Sequence, residues 1–280
     1  MLVDLYGNIN KMSDLEKRIK ENYENRTRFS LPLRTYTIIR LDGKAFHSYT
    51  KNLKRPFDED LMNDMDNSVI SFISEIQGAK FAYIQSDEVS ILLTDFMAPA
   101  TDAWFDGNVQ KIASVSSSMM TAHFNQLRRD RQVKHALENY LDFSVSDRWP
   151  LAYFDSRVFT IPDPTEVYNY FVFRWKDCER NSISAVAQSQ FSHKELEGKG
   201  SDEKQAMLLT KDINWSKFKE EEKNGRFIVK EKYFIPGEVI QNAFGGHDGS
   251  PVERSRWVMK PAWKLTKDPF LLRSMIPSYT

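Results

Sequence analysis

Apolar positions along this chain recur at spacings that predict strands and helices in turn. Tyr36-Thr37-Ile38-Ile39-Arg40-Leu41 is dense in β-branched and aromatic residues and predicts a strand, which stops at Asp42-Gly43, a pair suited to a tight turn. From Glu59 to Ile76 the residues Leu61, Met62, Met65, Val69, Phe72, Ile73 and Ile76 follow helical spacing, and Gly78 supplies a stop. Phe81-Ala82-Tyr83-Ile84 and Val89-Ser90-Ile91-Leu92-Leu93 flank the polar Gln85-Ser86-Asp87-Glu88, which predicts a hairpin. Val109 to Leu127 predicts another helix, and Phe154 to Ile161 a strand after a loop-rich stretch. Upstream, Ser13-Asp14-Leu15-Glu16 forms a capping box that should open a helix running to about Arg26.

Strand, helix, strand, strand, helix, strand is the split βαββαβ order of a ferredoxin-like or polymerase-palm sheet. The expected fold is therefore α/β (α+β): an antiparallel sheet with helices on one face and additional helices, spanning residues 1–235. The remaining residues, 236–280, are punctuated by Pro236, Gly237, Gly245, Gly246, Gly249, Pro251, Pro261, Pro269 and Pro277. They are expected to form a mostly irregular appendage.

Composition narrows the picture. The 280 residues carry 39 basic and 39 acidic side chains, so no net basic field argues for broad coating of nucleic acid, although local Lys/Arg patches can still bind it. Hydrophobic residues at 41% exclude a disordered chain. The one cysteine, Cys178, excludes an internal disulfide and points to a reducing compartment. No apolar run reaches the ~18 residues of a membrane span, and the N-terminus lacks the order of a secretory signal, so a cytoplasmic location is expected.

The two acidic turns carry the candidate chemistry. Asp42 follows the first strand and Asp87 the second, with a helical crossover between, so both strands run the same way and their ends share one sheet edge. Singly, Asp42-Gly43 and Ser86-Asp87-Glu88 read as ordinary turn residues. Converged, they repel unless cations neutralise them, and hard oxygen ligands of this kind suit Mg²⁺ with substrate phosphates. Gly43 would let its carbonyl approach an ion or phosphate closely. Lys44-Ala45-Phe46-His47 adds cations and backbone amides for a triphosphate. His47, His123, His135, His193 and His247 have no zinc-ligand spacing, and no phosphate-binding loop or Ser-His-Asp order occurs.

Four ordered blocks carry a family resemblance: Arg40-Leu41-Asp42-Gly43-Lys44-Ala45-Phe46-His47, Gln85-Ser86-Asp87-Glu88, Phe154-Asp155-Ser156-Arg157-Val158 and Arg180-Asn181-Ser182-Ile183. With Lys54-Arg55-Pro56-Phe57-Asp58, Asn108-Val109-Gln110-Lys111 and Ile213-Asn214-Trp215, they resemble the tRNA-histidine guanylyltransferase-like (Thg1-like) family over about residues 13–235. Those enzymes add nucleotides to RNA 5′ ends in the 3′-to-5′ direction.

The resemblance implies a palm with two Mg²⁺ ions held by Asp42, Gly43 and Asp87, with Asp42, Asp87 and Glu88 as the catalytic carboxylates. It implies that Lys44, Ala45, Phe46, His47, Ser86 and Lys111 bind the nucleotide, ATP or GTP and other nucleoside triphosphates. Arg40, Lys54, Arg157, Arg174, Arg180 and Asn181 become candidate contacts to RNA or phosphate. The Arg180-Asn181-Ser182 form is similar to the branch linked to template-dependent repair of 5′-truncated tRNA, and less to guanylate addition to tRNA-His. The implied partners are tRNA, nucleoside triphosphates and further copies of the chain, as dimer or tetramer. Phe173-Arg174-Trp175-Lys176-Asp177 departs from the family's Trp-Arg-Gln, and Val167, Phe171, Trp175 and Cys178 have the spacing of a helix's core face. Rival readings are a palm-type nucleotide cyclase or dinucleotide-forming enzyme, and a non-catalytic tRNA-binding protein. Trp257, Lys260, Trp263 and Lys264 interleave aromatics with cations, as an RNA grip or a strap on the core.

Overall fold

A computed structural model describes residues 14–139, 150–235, 251–262 and 269–279. Six strands form one antiparallel sheet in the order β4-β1-β3-β2-β5-β6. They are β1 (Tyr36–Gly43), β2 (Ala79–Gln85), β3 (Glu88–Thr94), β4 (Phe154–Ile161), β5 (Arg226–Ile235) and β6 (Val252–Pro261). β1 and β2 each pair antiparallel with β3, which lies between them, so they run in the same direction as the sequence pattern requires.

The helices are α1 (Asp14–Asn22), α2 (Phe46–Tyr49), α3 (Glu59–Phe72), α4 (Val109–Glu138), α5 (Pro164–Gln188), α6 (His193–Leu196), α7 (Ser201–Leu209), α8 (Glu220–Asn224) and α9 (Pro269–Met275). Ser13 of the expected capping box lies outside the described residues. α3 starts where the Asp58 carboxylate accepts from the Leu61 amide at 2.8 Å, and α4 where the Asn108 side chain accepts from the Lys111 amide at 2.9 Å. The two crossover helices cover one sheet face. Met65, Val69 and Phe72 of α3 and Met120 and Phe124 of α4 pack there on Ile39, Leu41, Ile84 and Ile91. Each such fully buried side chain contributes roughly 1.5–3 kcal/mol.

α5 covers the opposite face. Val167, Phe171 and Cys178 pack on Tyr36, Ile38, Phe81 and Tyr83, with Trp175 partly buried beside them, which settles that stripe as core. A third cluster of Val186, Ala187, Leu196 and Leu208 braces the far end of α5 against α6 and α7.

The irregular structure expected beyond residue 235 gives way, in its described part, to β6 and α9. β6 pairs with β5 along its whole length, from Arg226↔Pro261 to Ile235↔Val252. Ala262, Leu272 and Ile276 bury their side chains in the α5-side core. Pro251 and Pro261 bracket a strand instead of interrupting one, because β6 is the edge strand and needs no donor on its outer side. Pro236, Gly237, Gly245, Gly246, Gly249, Trp263 and Lys264 lie outside the described residues.

Candidate active site

Several strand ends meet on one edge of the sheet. β1 finishes with Asp42-Gly43, the β2–β3 turn carries Ser86-Asp87, and β5 begins at Arg226. Asp42 lies opposite Glu88 on β3 and Asp155 on β4. Ser86 sits in the left-handed region (φ 46°), which closes the turn and presents Asp87 at its tip.

Burial pushes the Asp87 carboxyl up to about 6. Hydrogen bonds from the Ser86 side chain and the Asp87 amide pull it down, and the charges of Asp42 and Glu88 push it up further. Gly43 is set by lack of room. A Cβ there would lie 2.7 Å from Asp87 Oδ2 and inside contact distance of the Phe46 ring. Phe46 is itself wedged against Phe124 and Phe154, with ring centroids 5.8 and 5.4 Å away.

From this edge opens a cleft of about 580 Å³ between the 45–62 segment, the end of β2 and α5. Of the residues singled out from sequence, Gly43, Ala45, Phe46, His47, Lys54, Ser86, Asp87 and Asn181 line it. Ala45 adopts φ 53°, and the chain then turns into the single helical turn of α2. Leu53, Phe57, Leu61, Met62, Cys178 and Ala185 make much of its wall apolar. Leu61 and Met62, two of the apolar residues at helical spacing in α3, thus also line the cleft.

Side chains of alternating charge run from Asp42 toward α5. Arg157 Nη2 and Arg40 Nη2 lie 3.7 and 3.9 Å from Asp42 Oδ2. Arg40 Nη2 also reaches Glu88 Oε2 at 2.5 Å. Arg174 grips the same carboxylate through Nε and Nη2, then reaches Asp177 at 3.0 Å. Arg180, exposed, ends the chain on Asp177 at 2.6 Å.

This network fixes the surroundings of two residues singled out from sequence. Arg174 is 4% exposed and its guanidinium is paired with Glu88 and Asp177. Glu88 is buried between two guanidiniums and anchors Arg40 beside Asp42. Lys111 lies apart from this cleft within the chain. It stands in the first turn of α4, beside Phe105, with its ammonium 6.0 Å from that ring. α4 runs back along β4, with Ser116 on Ser156 and Asn125 on Ala152, so its start lies toward the edge opposite Asp42. Lys44 is exposed, and its amide donates to the Tyr153 carbonyl at 2.8 Å.

Sequence reasoning missed Arg226. It is 3% exposed, lines the cleft and donates from Nε to Asp66 Oδ1 at 2.6 Å. Gly225 makes this possible. At φ +78° it brings β5 against β2, and a Cβ on it would sit 2.6 Å from the Ile84 carbonyl. The signal was Asn224-Gly225 before the apolar Phe227-Ile228-Val229, a turn into a strand with a charged first residue.

Among the described residues no group of three or more His, Cys, Asp or Glu gathers as a metal-ligand set. A hard divalent ion of the Mg²⁺ kind needs fewer, since it keeps waters and takes phosphate oxygens. Asp42, the Gly43 carbonyl and Asp87 fit it. Two carboxylates share the edge, and the contact of Asp87 over Gly43 leaves no room for a side chain. The arrangement can hold a divalent cation at the mouth of a cleft sized for a nucleotide, beside exposed arginines.

A family model described as tRNAHis guanylyltransferase matches residues 16–162. A bacterial tRNA(His) guanylyltransferase (Thg1)-like protein solved in complex with ATP is 37% identical, with a TM-score of 0.78 over 95% of this chain and 100% of that one. One solved in complex with GTP is 34% identical, with a TM-score of 0.71 over 94% and 99%. The tRNA(His) guanylyltransferase of Kluyveromyces lactis is 28% identical across 74% of this chain and 87% of its own.

Proposed function

The chain belongs to the tRNAHis guanylyltransferase family, and from that membership we propose that it is a Mg²⁺-dependent nucleotidyltransferase adding nucleotides to the 5′ end of tRNA in the 3′-to-5′ direction. Repair of 5′-truncated tRNA, with the nucleotide chosen by pairing to the opposite strand, is the role favoured by Arg180-Asn181-Ser182. The observation that carries the reading is Asp87 Oδ2 packed over Gly43, beside Asp42, at the mouth of the cleft.

Asp42, Asp87 and the Gly43 carbonyl would hold Mg²⁺. The ions supply charge neutralisation at phosphorus and a more acidic 3′-hydroxyl. The chain's own residues do the rest. His47 and Lys54 border the cleft where a triphosphate would lie, and Phe46 keeps the loop tight against Gly43. Arg157 and Arg180, both exposed, face the RNA end; Arg40 stays fixed by Glu88. Activation joins the tRNA 5′-phosphate to AMP from ATP and releases pyrophosphate. The 3′-hydroxyl of the incoming nucleoside triphosphate then forms the new P–O bond, and AMP leaves.

The test is a 5′-monophosphorylated tRNA transcript lacking its first nucleotide, incubated with ATP, labelled nucleoside triphosphates and Mg²⁺. Label should enter the 5′ end as the opposing base dictates, and Asp87→Ala should abolish it. Mg²⁺-dependent nucleotide consumption with no RNA labelling would overturn the reading in favour of a cyclase. Tight tRNA binding with no turnover would leave a binding protein.

A further inference from the structure

The pairing of β2 with β5 ends at Phe81↔Val229, and the next residue on each strand is a lysine, Lys80 and Lys230. Lys80 is the extra residue of a bulge, where the register of β2 on β3 shifts between Ala79 and Phe81. It is partly buried, and burial followed by the like charge of Lys230 holds its ammonium below the ordinary lysine value. Neither ammonium has an ion pair or a side-chain hydrogen bond among the described residues. Like charges set side by side destabilise a sheet, so the pair favours an anion from outside.

Past this point, among the described residues, β5 and β6 pair only with each other, as a two-stranded ribbon of residues 230–235 and 252–257. Lys232 shares a face with Lys230, with Glu253 2.9 Å from its ammonium. On the other face Glu231 meets both Lys260, at 3.0 Å, and Arg256, at 3.5 Å. Cations therefore outnumber carboxylates along the ribbon, although the whole chain balances 39 against 39. Trp257, opposite Lys230, packs against the α3-side core, so its ring backs the lysine. Cations spread along a ribbon suit a polyanion of repeated phosphates better than one small anion. At about 3.3 Å per residue, Lys230 stands about 13 Å along β5 from Arg226 at the catalytic edge, and Ile235 about 30 Å.

Resting on the tRNA reading above, we propose that Lys80 and Lys230, at the root of the β5–β6 ribbon, take phosphates of the tRNA backbone away from the reacting 5′ end. Such contacts position the RNA without reading its sequence. They hold its body while the end itself changes as nucleotides are added.

Anisotropy of a labelled, 5′-monophosphorylated tRNA transcript, titrated with the full chain at several salt concentrations, tests this. The double variant Lys80→Met with Lys230→Gln should bind tRNA more weakly. The slope of its log affinity against log salt should fall by about 2, about one for each lost phosphate contact. Lys80→Arg with Lys230→Arg should keep the slope. Calorimetric binding of Mg²⁺-ATP should not change in either variant, and the first should melt no lower than the parent, since it removes a repulsive pair. An unchanged slope in a parent that binds tRNA overturns the proposal while 5′ labelling can still stand. Loss of Mg²⁺-ATP binding together with tRNA, or a loss that arginine does not restore, overturns it as a structural effect. A parent that binds no tRNA removes the ribbon contact and the transferase reading together.

Discussion

Arg174 holds Glu88 through two parallel bonds, Nε to Oε1 and Nη2 to Oε2, each 2.6 Å, tying α5 to β3 beneath the acidic edge. Both side chains are buried, so removing one strands the other in low dielectric. Arg174→Met should therefore cost about 3 kcal/mol in urea unfolding, the low end for a broken buried pair because Arg40 stays on Glu88. A loss well below ~1 kcal/mol would mean that this buried pair contributes nothing to stability.

Gly43→Ala tests the cradle. The new Cβ has nowhere to go, since the Phe46 ring is held by Phe124 and Phe154 and Asp87 Oδ2 sits 2.7 Å away. Overpacking of this kind costs about 1–3 kcal/mol, so the variant should fold with a lowered Tm. Asp87 must shift by a good part of an ångström, which at a reacting centre costs about 10²-fold in rate. Single-turnover 5′ labelling would read it, and activity within a few-fold of the parent would refute the role of Gly43 as a fitted position.

Much of this edge was legible in the chain. The β-branched and aromatic run at Tyr36–Leu41 and the hairpin around Gln85–Glu88 placed Asp42 and Asp87 together, because strand direction follows from the crossover. Burial of charge was not legible. Arg174 and Arg157 look alike in a motif, and only the packing of α5 on β3 separates a buried clamp from an exposed cation. β6 was hidden for a different reason. Its pairing is with β5, and Pro251 and Pro261 break a pattern that an edge strand does not need. The distance of Lys111 from the cleft was not legible either, because adjacency within a family block says nothing about which end of a long helix lies near Asp42.

Lys111→Ala should leave Mg²⁺-nucleotide affinity within about twofold of the parent, since surface changes away from a site are worth no more than ~0.5 kcal/mol. Its ammonium stands by Phe105, at the end of α4 turned away from Asp42. His47→Ala, at the cleft, should weaken the same binding clearly. Titration of both variants side by side checks it; a large effect at Lys111 alone would reverse the assignment of the cleft.

Asp87 gives a pH dependence whose sign is fixed. Burial raises its folded-state value from 3.8 to about 6, so folding favours the protonated form. That contribution is fully present below about 4 and is lost as pH rises through about 6 in the metal-free protein. Asp87→Asn, neutral at every pH, should then raise the Tm of metal-free protein at about pH 7.5 and do so less as pH falls toward ~4. Mg²⁺ reverses the comparison, because the cation offsets the same buried charge. Added Mg²⁺ should stabilise the parent protein above about 6 and progressively less below it, as proton and metal compete for Asp87. The variant should gain little from Mg²⁺ at any pH. Thermal melts across pH, with Mg²⁺ and with chelator, read all of this without turnover. Equal Mg²⁺ stabilisation of parent and variant would remove Asp87 from the cation site.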